Sequence, residues 1–240
     1  MAVMTSSNAP AKKFSKNPII AFYQSSIGRK IVVAVTALIL VLYVLGHLLG
    51  NLQIYLGQDR INFYAKFLHD LGPILWLIRL VLLAAFVTHI VATIQLAREN
   101  RLAKPQKYAV AGYKRSTLAS RTMVVSGLIV LCFVIYHLLQ FTLEATDPRF
   151  HDLHDSLGRH DVYTMLILGF QNPLVSLFYV LALFLLTNHL SHGLASLVQT
   201  LGINNRKVSA TVTTVGQTLA WLVFAGYVSI PATILLGIIK

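Results

Sequence analysis

The chain has 240 residues, of which 56% are hydrophobic and only 12% are charged, and its mean hydropathy is +0.68. Soluble domains carry about 25% charged residues, so this composition excludes an ordinary soluble protein and indicates a membrane protein. The formal net charge of +12 is compatible with nucleic-acid binding in principle. The positions of the charges explain it as membrane topology instead, and we expect no nucleic-acid partner.

Five apolar segments are about 20 residues long, the length at which a helix crosses a hydrocarbon core of about 30 Å. Pro73 and Pro173 stand at the first turn of a segment, where a missing N–H is harmless, and Pro231 lies inside the fifth. We therefore predict an all-α membrane protein with an N-terminal segment, 1–30, followed by a five-helix transmembrane bundle, 31–240. The predicted spans are 31–50, 74–97, 123–143, 174–198 and 215–239.

Positive charges concentrate on alternate connections between the spans. The segment 1–30, the loop 98–121 and the turn after the fourth span carry 14 of the 20 Lys and Arg residues, whereas the other side carries seven of the eight acidic residues. By the positive-inside rule the N-terminus is cytoplasmic and the C-terminus lies outside. The basic loops could also contact anionic lipid or a partner subunit.

The stretch 144–172 is predicted to be a long outer loop. Its central part, "DPRFHDLHDSLGRHD", is polar enough to be solvated. Three histidines lie in it: His151, His154 and His160. A group of histidines and acids can resemble a metal site, but we interpret these three as solvated surface residues.

Five histidines lie inside the predicted spans: His47, His89, His137, His189 and His192. An ionisable side chain at membrane depth is costly and normally faces the bundle interior or a partner. A single one could simply bond a neighbouring helix. Because each of the first four spans contributes at least one, they are the main candidates for a functional site.

Two of these histidines are predicted to lie near the outer side. His47 is 18 residues beyond Arg29, which is about 27 Å along a helix from the cytoplasmic charges. His137 is 16 residues beyond Arg121, about 24 Å from those charges. Their similar depth on different helices predicts a pair.

The remaining histidines are predicted to lie nearer the inner side. His89 is 9 residues before Arg98 and His192 is 10 residues before Gly202, distances of about 13 and 15 Å. His189 lies about 4.5 Å deeper than His192, so depth favours His192 as the partner of His89, though only mildly. Two imidazoles at one depth can supply both axial ligands of a haem iron, so two stacked haems are expected.

Glycines lie beside these histidines or level with them. Because a glycine has no Cβ, it permits close approach, either of a porphyrin or of another helix. The glycines concerned are Gly46, Gly50, Gly127 and Gly193.

Four segments together resemble a known family. They are "SSIGRKIVVAVTALIL", "GHLLGNLQIYLG", "LHDLGPILWLIRL" and "NHLSHGLASLVQTLG". In these motifs and in its five spans the chain resembles the cytochrome b558 subunit of succinate dehydrogenase and fumarate reductase. The resemblance covers nearly the whole chain and implies two haems b, with axial ligands matching His47, His89, His137 and His192.

The resemblance also implies partners and a reaction. The family is a membrane anchor that docks through its cytoplasmic face to an iron–sulfur subunit and a flavoprotein, in a bacterial cytoplasmic membrane. It passes electrons between that iron–sulfur subunit and membrane quinone, typically menaquinone, as part of a succinate:quinone oxidoreductase. Succinate itself would not touch this chain.

One feature departs from the family pattern. Some fumarate-reducing relatives are expected to carry a glutamate near the outer end of the second helix and another in the fourth, and this chain has neither. A quinone reduced at the outer end needs protons and hydrogen-bond donors. We predict that His69, Asp70 and Arg79 supply them, although His69 and Asp70 could serve the loop alone and Arg79 could bind a haem propionate or snorkel to the surface.

Two other functions stay open from the sequence. The first is the diheme cytochrome b subunit of a membrane-bound hydrogenase or formate dehydrogenase, which delivers electrons to the same quinone pool. The second is a haem-free transporter whose buried histidines only bond one another.

Overall fold

The computed structural model describes residues 15–103, 118–200, 202 and 206–240. Several cations used in the topology prediction lie outside the described residues: Lys12, Lys13, Lys104, Lys107, Lys114 and Arg115.

The described residues form eight α-helices and two short 3₁₀ turns, with no β-strand among them. Five of the helices are long and apolar enough to cross a membrane, so the prediction of five spans is confirmed. The helices are α1 Pro18–Gln24, α2 Ser26–Asn51, α3 Gln58–Asp70, α4 Pro73–Leu102, α5 Leu118–Phe141, α6 Val162–Phe170, α7 Pro173–Thr200 and α8 Arg206–Leu235.

Local sequence signals set several of the helix boundaries. Ser25 caps α2 by accepting a hydrogen bond from the Gly28 N–H at 2.9 Å, which satisfies one of the free donors of the first turn. Pro73 and Pro173 begin α4 and α7, as predicted. Helix α8 continues through Pro231, which is fully buried in the bundle.

The five long helices are not packed equally. Helix α7 packs against α2, α5 and α8, and α4 packs against α2. Among the described residues, α2 hardly approaches α5, and α4 hardly approaches α7 or α5. The helices that carry the predicted histidine pairs are therefore not direct packing neighbours, and side chains rather than close backbone contacts lie between them.

One end of the bundle, which we call the α1 face, is formed by α1, the start of α2 and the end of α4. Its central residue is Arg29, which is 5% exposed. The guanidinium pairs with Glu99 of α4 at 2.6 Å and donates to the carbonyls of Tyr23 and Gln24 at 2.9 and 2.6 Å. These bonds hold α1 and α4 together at this end.

The opposite end, which we call the α3 face, contains α3, residues 144–161 and α6. The prediction of a loop over 144–172 is wrong for Val162–Phe170, which form the largely buried helix α6. Within 147–161, the part predicted to be solvated, Phe150 and Asp161 are buried, at 0% and 5% exposed. Asn62 of α3 is fully buried and donates to both Asp161 and Asp155, at 2.9 and 3.2 Å. A buried amide and two carboxylates thus fasten the loop to α3, whereas His151, His154 and His160 are exposed.

Hydrogen bonds control the ionisation of this buried cluster. Burial of the Asp155 carboxyl opposes its ionisation, but hydrogen bonds from Arg159, Asn62 and the Leu157 N–H outweigh burial and lower the pKa of Asp155 to about 2. A carboxyl whose pKa is depressed by folding stabilises the fold at pH values above its unfolded pKa, and this contribution is lost as pH falls toward the folded value.

We expect Asn62→Leu to destabilise the α3 face by about 2 kcal/mol or more, because Asp155 and Asp161 each lose a buried donor. In wild type the packing of this face should persist through mildly acidic conditions and fail between about pH 4 and pH 2. Thermal unfolding in detergent as a function of pH measures both effects. Lys66→Leu, at an exposed position on the same helix, is the control and should change neither.

Candidate functional site

His47 and His137 come together between α2 and α5. Their ring centroids are 5.8 Å apart and the rings are nearly perpendicular, at 85°. Tyr43, one turn before His47, stacks on it with a centroid distance of 5.4 Å, and Tyr227 of α8 lies 6.2 Å from the same ring. The two rings therefore form a close pair inside the bundle.

The His137 ring is held by a buried polar chain. Its Nδ1 lies 3.2 Å from the Tyr179 hydroxyl, and that hydroxyl donates to Gln140 Oε1 at 2.9 Å. Tyr179 and Gln140 are 4% and 2% exposed. While the hydroxyl donates to Gln140, it can accept from the His137 Nδ1–H, and in that tautomer Nε2 carries the lone pair of the ring.

His89 on α4 shows the same arrangement near the α1 face. Its Nδ1 lies 3.2 Å from Thr36 Oγ1 on α2, and Thr36 donates its proton to the Val32 carbonyl at 2.8 Å. While Thr36 donates to that carbonyl, its oxygen can accept from the His89 Nδ1–H, and the imidazole also bonds the Val33 backbone.

His189 on α7 faces α5. Its Nδ1 lies 3.3 Å from Ser126 Oγ, which itself donates to the Met123 carbonyl at 3.1 Å. The ring also interacts electrostatically with His89. Gly127 makes this approach possible, because a Cβ there would lie 3.3 Å from His189 Cε1.

His192 has a different environment from His189. The hydrogen bond that its Nε2 makes is with Ser196 Oγ, 3.3 Å away and one turn later on the same helix. Nothing lies within 4 Å of the Cβ that the adjacent Gly193 lacks. These contacts favour His189 over His192 as the partner of His89, opposite to the preference from depth and resemblance. The assignment of His192 stays a prediction.

The other glycines have separate surroundings. At Gly50 a Cβ would lie 2.7 Å from the Tyr64 ring of α3, so this glycine admits a side chain of the protein itself. Gly46 has open space around its missing Cβ. Gly46 and Gly193 are therefore the two of the four whose surroundings leave room for a further group.

The residues predicted to serve quinone are not brought into one cluster. Asp70 pairs with Lys66 at 2.7 Å, and His69 is exposed at the end of α3. Arg79 lies over the Trp76 ring, 5.0 Å from its centroid. It also interacts electrostatically with Tyr43, the residue that stacks on His47. Of the three, Arg79 is the one linked to the histidine pair.

The sequence analysis missed the partners of the histidine rings. Thr36, Ser126, Gln140 and Tyr179 are all buried polar residues inside predicted spans, and that combination is the signal that could have identified them. Hydroxyls in membrane helices usually bond their own backbone, so from sequence alone these residues do not stand out.

The arrangement defines a class: a multi-pass membrane protein with histidines converging in the bundle at two depths. Comparisons of the chain with family models, with curated proteins and with solved structures gave no match. Within the described residues no group of three or more histidine, cysteine or acidic side chains forms a metal site. His47 and His137 instead meet as a pair.

Proposed function

We propose that this chain is the diheme cytochrome b membrane anchor of a succinate:quinone oxidoreductase. The observation that carries the proposal is the meeting of His47 and His137, two rings 5.8 Å apart from helices that hardly contact each other. A second group, His89 with His189 or His192, lies nearer the α1 face. Bis-imidazole ligation at two depths is what stacked haems b need.

The chemistry of the donor set fits haem. His137, His89 and His189 each have a hydroxyl that can accept from Nδ1–H, and in that tautomer Nε2 is the lone-pair donor that a metal takes from neutral imidazole. Bound haem supplies one-electron transfer. The chain's own residues fix the rings, exclude water with the surrounding aromatic and aliphatic side chains, and set the positions of the two groups across the membrane.

The proposed orientation places the α1 face in the cytoplasm and the α3 face outside, because the basic connections belong to the α1 face. The iron–sulfur subunit, with the flavoprotein beyond it, would dock on the α1 face. Support comes from the exposed apolar side chains of α1, with Ile19 78% and Phe22 47% exposed. The buried Arg29 guanidinium, paired with the partly exposed Glu99, holds this helix in place. Membrane lipid would surround the rest of the bundle.

The proposal is tested by purifying the complex in mild detergent. We expect two haems b per chain by pyridine haemochrome, together with an iron–sulfur subunit and a flavoprotein by mass spectrometry. Co-purification with a hydrogenase or formate dehydrogenase instead would favour the alternative diheme function. A colourless preparation that is fully folded would overturn the haem assignment and favour the transporter.

Arg79 is the residue of the proposed quinone site with the clearest link to the outer pair. We expect Arg79→Leu to lower the rate of menaquinone reduction about tenfold, because a charged hydrogen-bond donor to a quinone carbonyl is lost. Succinate oxidation with a soluble acceptor should continue, since that reaction does not reach this end of the chain. Asp70→Asn tests the rest of the predicted cluster, and Arg60→Leu, which removes another exposed cation of α3, is the control. If both activities survive in Arg79→Leu and Asp70→Asn, the quinone site lies elsewhere.

A further inference from the structure

Three membrane histidines share one pattern of hydrogen bonding. In each, Nδ1 faces a hydroxyl on a neighbouring helix at 3.2 to 3.3 Å. The pairs are His137 with Tyr179, His89 with Thr36 and His189 with Ser126. The pattern therefore occurs at both depths of the bundle and uses three different kinds of hydroxyl.

Each of these hydroxyls also has an oxygen acceptor of its own. Tyr179 can donate to a side-chain amide oxygen, and Thr36 and Ser126 can donate to backbone carbonyls in the preceding turn of their own helices. A hydroxyl has a single proton and two lone pairs, so while it donates to that oxygen it can accept from an imidazole N–H. In the Nδ1–H tautomer each ring donates to its hydroxyl and keeps the Nε2 lone pair for another partner.

We propose that Tyr179, Thr36 and Ser126 are positioning residues that present Nε2 of His137, His89 and His189 to the haem irons. This inference rests on the proposed function. A metal-bound histidine nearly always donates its other N–H to an acceptor, which fixes the tautomer and the ring orientation and raises the basicity of the ligand. Gln140 contributes to the same positioning, because its Oε1 sets the direction of the Tyr179 hydroxyl.

His192 supplies an internal contrast. Its Nε2, the atom that the other three keep free, is the one that contacts a hydroxyl, and that hydroxyl is on its own helix. The hydrogen bond of this ring is therefore made within α7, and its Nε2 is not directed at a group on another helix.

The experiment measures the midpoint potential of each haem in the purified full complex carrying Tyr179→Phe, Thr36→Val or Ser126→Ala. Loss of the acceptor makes the imidazole a weaker donor to oxidised iron, so the potential of the haem concerned should rise. Loss of such a partner typically weakens metal binding by about 10- to 100-fold. A tenfold difference between the two oxidation states corresponds to about 59 mV for a one-electron couple. Tyr179→Phe should shift the outer haem, and Thr36→Val and Ser126→Ala the inner one.

Matched controls remove a similar hydroxyl that does not touch a histidine ring. Tyr136→Phe lies in the same aromatic cluster as Tyr179, and Thr93→Val removes a hydroxyl that bonds the His89 backbone carbonyl. Both should leave the two potentials unchanged. Thr36→Ser keeps the hydroxyl and should restore the wild-type potential even if Thr36→Val folds poorly.

Potentials unchanged in Tyr179→Phe and Ser126→Ala, with both haems retained, would overturn the inference and leave the proposed function standing. Equal shifts of both haems in these variants and in the controls would overturn it as well, because that result indicates a general packing effect. A wild-type complex without haem would refute the proposed function, and the inference with it.

Discussion

Replacing His47 or His137 with alanine is expected to lower the haem content from two per chain to one and to remove the outer haem. Both rings belong to one site, with centroids 5.8 Å apart, so the loss of either removes half of its axial ligation. His89→Ala should remove the inner haem instead. Because the two sites are separate, each variant should keep the haem at the other depth.

The measurement is a pyridine haemochrome count combined with a redox titration that resolves the two haems. His69→Ala, an exposed histidine on α3, is the matched control and should keep both. The pairing is refuted if His47→Ala and His137→Ala remove different haems. It is also refuted if all three site variants lose both haems equally while remaining folded.

The second large effect distinguishes His189 from His192. We expect His189→Ala to lose the inner haem, because the His189 ring contacts Ser126 of α5 and interacts electrostatically with His89. His192→Ala should retain both haems, since the His192 Nε2 bonds Ser196 of its own helix. The same haem count and titration decide the question.

The opposite result would support the prediction from depth and resemblance. If His192→Ala loses the inner haem and His189→Ala keeps it, the rings must rearrange when haem binds. Ser126→Ala then provides a further check, because it should leave the inner potential unchanged if His189 is not a ligand. The two histidines are separated by three residues, so comparing both single variants controls for general damage to α7.

Hydropathy and charge were sufficient to predict five membrane spans and the positions of Pro73 and Pro173 at helix starts. The same reasoning failed for part of residues 144–172, because 162–170 form α6. The polar residues of 147–161 suggested a solvated stretch, but Asp161 is buried and the Asp155 side chain is 4% exposed, because Asn62 of α3 bonds both carboxylates and Arg159 bonds Asp155. In a sequence a carboxylate suggests a position on the surface, and only the groups that bond it in the fold show that it is buried.

For the candidate site, the sequence identified the histidines inside the spans and predicted their depth, because depth follows from the helical rise and the helix ends. The direction in which a ring points was decided by the tertiary structure. His189 and His192 lie only about 60° apart around α7, and both polar and apolar residues lie beside them in the sequence, so no hydrophobic stripe separates them.

The partners of the rings were also decided by the tertiary structure. Tyr179 is 42 residues from His137, and Thr36 is 53 residues from His89. Insertion in a membrane depends on the transfer energy of each segment separately, which a single sequence carries. The orientation of a ligand depends on which side chains of other helices meet it, and that is a property of packing between segments.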